Sequence, residues 1–190
     1  MTDFKITYRN TNPKDLDKLL RFTDRWIGKN YFSKEELRLN LLKGIKEDMN
    51  ASFLATIEDT IIGARITYAP GEWIDFKNMN QLTVGAWDEE IKDVAYFKSL
   101  FVHEKYQNKG IGSKLSEMSL FELKKMNAKA VVAHAWVESP HNSSQKYLEK
   151  MGFKKIAVHE RFWYFNEYDC PRCGIENRCV CSAAEMLLKL

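Results

Sequence analysis

The sequence predicts an α/β protein built on a mixed β-sheet flanked by helices, and three observations carry that prediction. From Val94 onward, strand-like and helix-like stretches alternate as strand, helix, strand, helix, strand. Ala130–Val137 is almost continuously apolar, the pattern of a strand buried on both faces. Between Leu100 and Gly112 an apolar strand passes through a polar loop into two glycines that open a helix.

The N-terminal half supplies the flanking elements. Asn12-Pro13 reads as an N-cap followed by proline at the first helical position, and Leu16, Leu19, Leu20, Phe22, Trp26 and Ile27 give that helix an apolar stripe. Ser33 and Glu36 form a capping box for a second helix carrying Leu37, Leu41, Leu42 and Ile45. Ser52–Glu58 and Ile61–Ala69 then read as a hairpin turning at Asp59-Thr60. Residues 70–92 lack a clean period and are punctuated by Trp73, Phe76 and Trp87. They read equally as a wall of a substrate pocket or as a surface loop anchored by aromatics.

The helix from about Gly110 to Met126 buries Ile111, Leu115, Met118 and Phe121. Asn142-Ser-Ser-Gln145 reads as the cap of a further helix ending at Gly152. Strand-like residues resume at Lys155 and run through Phe162-Trp163-Tyr164-Phe165. The last strand is expected at Ala183–Leu190, with Ala184, Met186, Leu188 and Leu190 on one face, which pairs it with Phe162–Tyr168.

At 190 residues, with 45% hydrophobic and 29% charged residues, the chain suits one domain over residues 1–190. No window approaches a membrane span, and the N-terminus lacks the apolar core of a signal peptide, so a cytoplasmic protein is expected. A net charge of +3 is too small for a dense basic stripe, and nucleic acid is not an expected partner.

The glycines at 110 and 112 let backbone approach an anion closely, where the free N–H groups of a first helical turn point at it. The helix dipole adds about 0.3–1 kcal/mol per charge at an exposed site, and Lys109 adds a cation. The loop is neither a P-loop nor a complete G-x-G-x-x-G.

The stretch Gln107-x-x-Gly110-x-Gly112, after a strand ending Leu100-Phe101-Val102, resembles motif A of the GNAT acetyltransferase superfamily. Ser144-Gln-Lys-Tyr-Leu-Glu-Lys-Met-Gly-Phe153 resembles the same family's second signature, in the right order and spacing. The resemblance implies a fold, an acyl donor and a reaction. Acetyl-CoA would be the co-substrate, with Leu100, Phe101 and Val102 lying against its pantetheine arm. Gln107, Asn108, Lys109, Gly110, Ile111, Gly112 and Ser113 would wrap the pyrophosphate, with Asn142 also at the donor site. The thioester would lie where the strands Val94–Val102 and Ala130–Val137 splay apart, and the acetyl group would pass directly to a primary amine of a small molecule or peptide.

Three residues are candidates for proton transfer. The family's tyrosine acid falls at Leu148, and Tyr147 is its neighbour, turned by about 100 degrees on a helix. His141 occupies the place of a frequent asparagine and is a candidate for proton handling, as histidines commonly are. Glu138, just past the central strand, could serve as base directly or through water. His134 reads as a satisfied core histidine, and His103 and Glu104 as solvated surface.

Cys170, Cys173, Cys179 and Cys181 are the only cysteines, spaced C-x2-C-x5-C-x-C. Two close pairs can converge on one ion, and Gly174 permits the tight turn between them. A structural Zn2+ in a knuckle between the last two strands is the leading reading, ahead of an iron–sulfur cluster and a redox dithiol at Cys170-Pro-Arg-Cys173. A non-enzymatic alternative is a CoA-binding scaffold whose knuckle captures a protein or nucleic acid. A homodimer is compatible with either reading.

Overall fold

The computed structural model describes residues 5–74, 81–166, 168–174 and 177–190. The chain starts with a strand absent from the sequence expectation, β1 (Ile6–Asn10), whose alternating half-buried and exposed residues lie at a sheet edge. Asn12 then caps a 3-10 turn at Pro13–Asp15, which leads into α1 (Leu16–Trp26). Asp15 is buried and accepts both guanidinium nitrogens of Arg9 at 2.7 Å, pinning the strand to the helix start. The capping box of Ser33 and Glu36 opens α2 (Lys34–Leu42) as expected.

A two-stranded ribbon, β2 (Ile45–Lys46) and β3 (Met49–Asn50), precedes the predicted hairpin, β4 (Phe53–Ile57) and β5 (Thr60–Tyr68). There follow β6 (Val94–Val102), α3 (Ile111–Lys125), β7 (Ala130–Trp136), α4 (Ser143–Lys150), β8 (Lys154–His159) and β9 (Ala183–Lys189). The large sheet runs β1-β4-β5-β6-β7-β9-β8. Helices α1 and α2 cover one face with Leu19, Phe22, Leu37 and Leu41, while α3 and α4 cover the other with Leu115, Leu123 and Leu148.

Two features of β6 position the site. Ile66 pairs with Ser99 but Thr67 pairs with Phe97, so Lys98 is the extra residue of a β-bulge. Parallel pairing of β6 with β7 spans only Val94–Phe97 against Ala130–Ala133. Beyond that point β6 stays with β5 and β7 stays with β9, so the sheet opens into a cleft.

Several expectations are corrected. The strand expected at Phe162–Tyr168 is instead β8, eight residues earlier in its start. The chain turns at Arg161, whose φ is +50°, and the Phe162 amide bonds the Cys181 carbonyl rather than a ladder partner. Asn142 does not cap α4 with its side chain: it sits in the left-handed region, and the Ser139 hydroxyl accepts the Ser144 amide instead. Phe121 is exposed rather than buried. The final strand is as expected, with Ala184, Met186, Leu188 and Leu190 packed on the α4 face.

Candidate active site and cysteine cluster

On one side of the cleft lies the head of α3. Gly110, its N-cap, holds φ +76° and makes no side-chain cap, and a Cβ there would meet nothing within 4 Å. Gly112 leaves room for a neighbour: a Cβ there would come 3.1 Å from Leu100 Cδ2. The loop before them is latched by Gln107, whose amide donates to the Val102 carbonyl at 3.0 Å. Asn108 is also left-handed, with φ +58°, and the Lys109 ammonium stands 5.4 Å from the Tyr106 ring. Gln107, Asn108, Lys109 and Gly110 are all exposed, leaving the first-turn amides open to an anion.

Beneath this loop is a buried cation. Arg65 is 3% exposed and meets no carboxylate among the described residues. Its Nε and Nη2 donate to Ser116 Oγ, at 3.0 and 2.8 Å, and its guanidinium lies 4.2 Å from the Phe97 ring centroid. Burial lowers its pKa. The Ser99 hydroxyl, buried in the strand expected to face the pantetheine arm, has no hydrogen-bond partner. An open anion cradle at the head of α3 and an orphaned hydroxyl on β6 suit a phosphorylated, amide-bearing donor such as acetyl-CoA.

The three proton-transfer candidates lie on α4, in the turn before it and just past β7. The Tyr147 hydroxyl donates to Ser116 Oγ at 2.6 Å, with the Gly112 carbonyl at 3.2 Å, and accepts from Arg65 Nη2 at 3.4 Å. Tyr147 thus ties α4 to the head of α3. His141 is exposed, with φ +55°. Both oxygens of Glu138 accept the Ser182 amide, at 3.1 and 3.0 Å, and Arg172 lies 3.9 Å away. Glu138 therefore holds β7 to the start of β9.

On the other side of the cleft is a cavity of about 290 Å3. Its floor carries three groups the sequence expectation passed over: Tyr96, Lys98 and His134. The His134 Nε2 faces the Gln81 carbonyl at 3.1 Å, so it must donate there. That leaves Nδ1 to accept from the Tyr96 hydroxyl, 2.9 Å away. Burial, opposed by Glu185 and reinforced by His159, pulls the His134 pKa down to about 4. Burial also raises the Tyr96 phenol. Phe162 stacks on His134 at 4.3 Å, and Tyr31, Tyr68, Trp73 and Trp163 complete an aromatic wall.

Trp73, Gln81 and Leu82 come from the 70–92 connection, which therefore lines a pocket, although Phe76 lies outside the described residues. That connection is held by Glu185, a fully buried carboxylate on β9. It accepts from the Thr83 amide at 2.9 Å, Trp87 Nε1 at 2.7 Å and His159 Nε2 at 2.7 Å. The signal available in the sequence was an acid alternating with apolar residues in the last strand.

The four cysteines converge. The Sγ atoms of Cys170 and Cys179 are 3.6 Å apart, those of Cys173 and Cys181 3.7 Å, and those of Cys170 and Cys181 3.9 Å. A tetrahedral ion with metal–sulfur bonds of about 2.3 Å requires sulfur separations of about 3.8 Å. Gly174 turns with φ +89° and its amide bonds the Cys170 carbonyl at 3.0 Å. The Val180 amide points at Cys173 Sγ (3.5 Å) and the Tyr168 hydroxyl lies 3.7 Å from Cys179 Sγ. Donors aimed at sulfur suit thiolates. Burial pushes the Cys181 thiol up to about 12, whereas at Cys170 the amides of Cys173 and Arg172 outweigh burial and bring it to about 7.

A mixed sheet that opens beside a glycine-headed helix defines an acyl-CoA transferase architecture, and the fold is the mixed α/β GNAT fold. Residues 19–153 match the family described as "Acetyltransferase (GNAT) family", and the chain belongs to it. Members of that family are acyltransferases that use acetyl-CoA. No curated protein sequence matches the chain at a significant level.

Solved structures of the same fold include a GNAT-family acetyltransferase from Streptococcus pneumoniae (16% identity, TM-score 0.68, covering 98% of this chain and 100% of that one). The Drosophila melanogaster polyamine N-acetyltransferase is similar at 15% identity and TM-score 0.66, covering 98% and 100%. The ribosomal-protein-S18-alanine N-acetyltransferase of Escherichia coli aligns at 16% identity and TM-score 0.64, covering 97% and 94%. Among the described residues no helix is long and apolar enough to cross a membrane.

Proposed function

We propose that the protein is an N-acetyltransferase that moves the acetyl group of acetyl-CoA directly to a primary amine. The observation that carries this reading is the cleft beyond Phe97 and Ala133, with an anion cradle on one side and a polar-floored cavity on the other. Backbone of Leu100, Phe101 and Val102 would bind the pantetheine arm. Gln107 through Ser113 would hold the pyrophosphate, with Asn142 at the far wall. The donor supplies an acyl thioester; the protein supplies position and proton handling.

The amine nitrogen attacks the thioester carbon, the carbon–sulfur bond breaks, and the nitrogen loses a proton. Once bonded to the acyl carbon that nitrogen is strongly acidic, so a weak base suffices. Tyr96 and His134 are assigned that task in place of Glu138 and His141: the phenol oxygen takes the proton as its own passes to His134 Nδ1. The cleft amides around the Lys98 bulge would stabilise the developing oxyanion. Tyr147 acts as a positioning residue for α3, and the thiolate of CoA leaves into the cleft and takes its proton from solvent.

The four cysteines hold a structural Zn2+, a reading supported by their tetrahedral spacing and sulfur-directed donors. The test is free-thiol release from acetyl-CoA across a broad amine panel, with product mass read in parallel and zinc measured per chain. Acetyl-CoA binding at micromolar concentration without turnover of any amine would overturn the enzymatic reading.

A further inference from the structure

Aromatic rings wall the cavity, but among the described residues its charges do not balance. Lys98 and Lys43 both line it, both are half-buried, and neither forms an ion pair among the described residues. The Lys43 ammonium instead lies 5.3 Å from the Tyr68 ring. The one carboxylate on the lining among the described residues, Glu36, is exposed, and its Oε2 already accepts the Ser33 amide at 2.8 Å. Asn40, also on the lining, is occupied by the Tyr68 hydroxyl. Partial burial of unpaired ammonium groups is unfavourable unless an anion joins them.

Lys98 stands where that anion would matter most. It is the bulged residue at the opening of the sheet, beside Tyr96, and close enough to His134 for its charge to disfavour protonation there. The other charged or titratable groups acting on His134 are Glu185 and His159. From these observations we infer that the acceptor is a free amino acid with an apolar side chain. Its carboxylate meets Lys98, its neighbouring amine faces the thioester and Tyr96, and its side chain lies against Trp73, Phe162 and Trp163. A cavity of about 290 Å3 falls just below the roughly 300–1,000 Å3 of drug-sized ligand sites and suits a molecule as small as an amino acid. This inference rests on the acetyl-transfer reading, deepening it to a substrate class.

The experiment compares phenylalanine, phenylalaninamide, phenethylamine and 1-amino-2-phenylethylphosphonate as acceptors for the full-length protein with acetyl-CoA. The same four are titrated calorimetrically into its CoA complex. The expected result is that kcat/KM for phenylalanine exceeds that for the amide and for phenethylamine at least about tenfold, equivalent to about 1.4 kcal/mol. K98M should erase the difference and K98R should retain it, with acetyl-CoA affinity unchanged in both. A phosphonate bound or turned over in preference to the carboxylate would overturn the assignment of an amino acid. So would equal or better use of the amide or phenethylamine, or a carboxylate preference that survives K98M. If K98M does not fold, loss of the preference in K98R overturns the proposal. Absence of turnover with every amine would defeat the acetyl-transfer reading. In that case phenylalanine binding to the CoA complex that exceeds binding of the amide, and that K98R retains, still supports the carboxylate site, and no such binding overturns it.

Discussion

Tyr168 touches both the cysteine cluster and the acceptor cavity: its hydroxyl lies 3.7 Å from Cys179 Sγ, and its ring meets Tyr31 edge-on at 5.3 Å. The same segment carries Phe162 and Trp163 into the cavity wall. It also presses so closely on the α1–α2 connection that a Cβ on Gly28 would come 2.6 Å from the Asp169 carbonyl. A metal at the four sulfurs, as proposed, would therefore stiffen a wall of the cavity.

Metal removal should act on the acceptor more than on the donor. Because folding of such a segment is coupled to ion binding, chelation or Cys181→Ser is expected to raise the acceptor KM about tenfold or more, roughly 1.4 kcal/mol. Acetyl-CoA affinity should stay within about twofold, since among the described residues the cysteines pack against Trp136, Trp163 and Tyr168 rather than the α3 head. Steady-state kinetics beside donor calorimetry separates the two; equal losses in both would contradict this coupling.

The two glycines at the head of α3 should fail for different reasons. Gly110→Ala places a side chain at φ +76° in open space, a strain of about 1–2 kcal/mol that no neighbour can relieve. Gly112→Ala instead crowds the Leu100 side chain, which must shift by a few tenths of an ångström. Both should weaken acetyl-CoA binding by roughly five- to thirtyfold. Adding Leu100→Ala should restore affinity to the Gly112 variant and leave the Gly110 variant unchanged, as read by calorimetry.

The strand, loop and helix proposed for the donor were legible because they are local. Gln107 through Gly112 form one continuous strand–loop–helix, and glycines there have few other uses. The four cysteines were legible for the same reason. Tyr96, Lys98 and His134 were not, because their meaning comes from where two strands separate and where a bulge falls, and no short window encodes either. His134 sits in an apolar run and so looked like core; only its pairing with Gln81 and Tyr96 reveals a tautomer. The strand expected over Phe162–Tyr168 failed similarly: its aromatics form a cavity wall, and their apolar character imitated a ladder.

Tyr147→Phe distinguishes support from acid catalysis. Loss of the hydroxyl removes one partner each from Ser116 and the buried Arg65, which should cost about 1 kcal/mol and lower Tm by about 2–4 °C. If Tyr147 only positions α3, kcat changes little and the alkaline limb of the rate profile stays where it was. A fall in kcat of about a hundredfold with loss of that limb would make Tyr147 the proton donor to the thiolate.

His134 gives the stability of the protein a definite pH slope. Its folded pKa, about 4, lies below the unfolded value near 6.5, so between those limits the unfolded chain binds more protons. Stability should accordingly rise with pH from about 4 to 6.5 and be lost on acidification, with at most about 1.4 kcal/mol per pH unit from this one group. Asp15, held below its ordinary value by the Arg9 guanidinium, adds a loss in the same direction at lower pH. The contribution of His134 is therefore the difference between the slopes of the native protein and His134→Gln in urea unfolding. That variant keeps a donor for the Gln81 carbonyl and cannot titrate, so it should show the flatter curve between pH 4 and 6.5. Parallel curves would mean that the imidazole is protonated in the folded state, and Tyr96 would then have no acceptor for its proton.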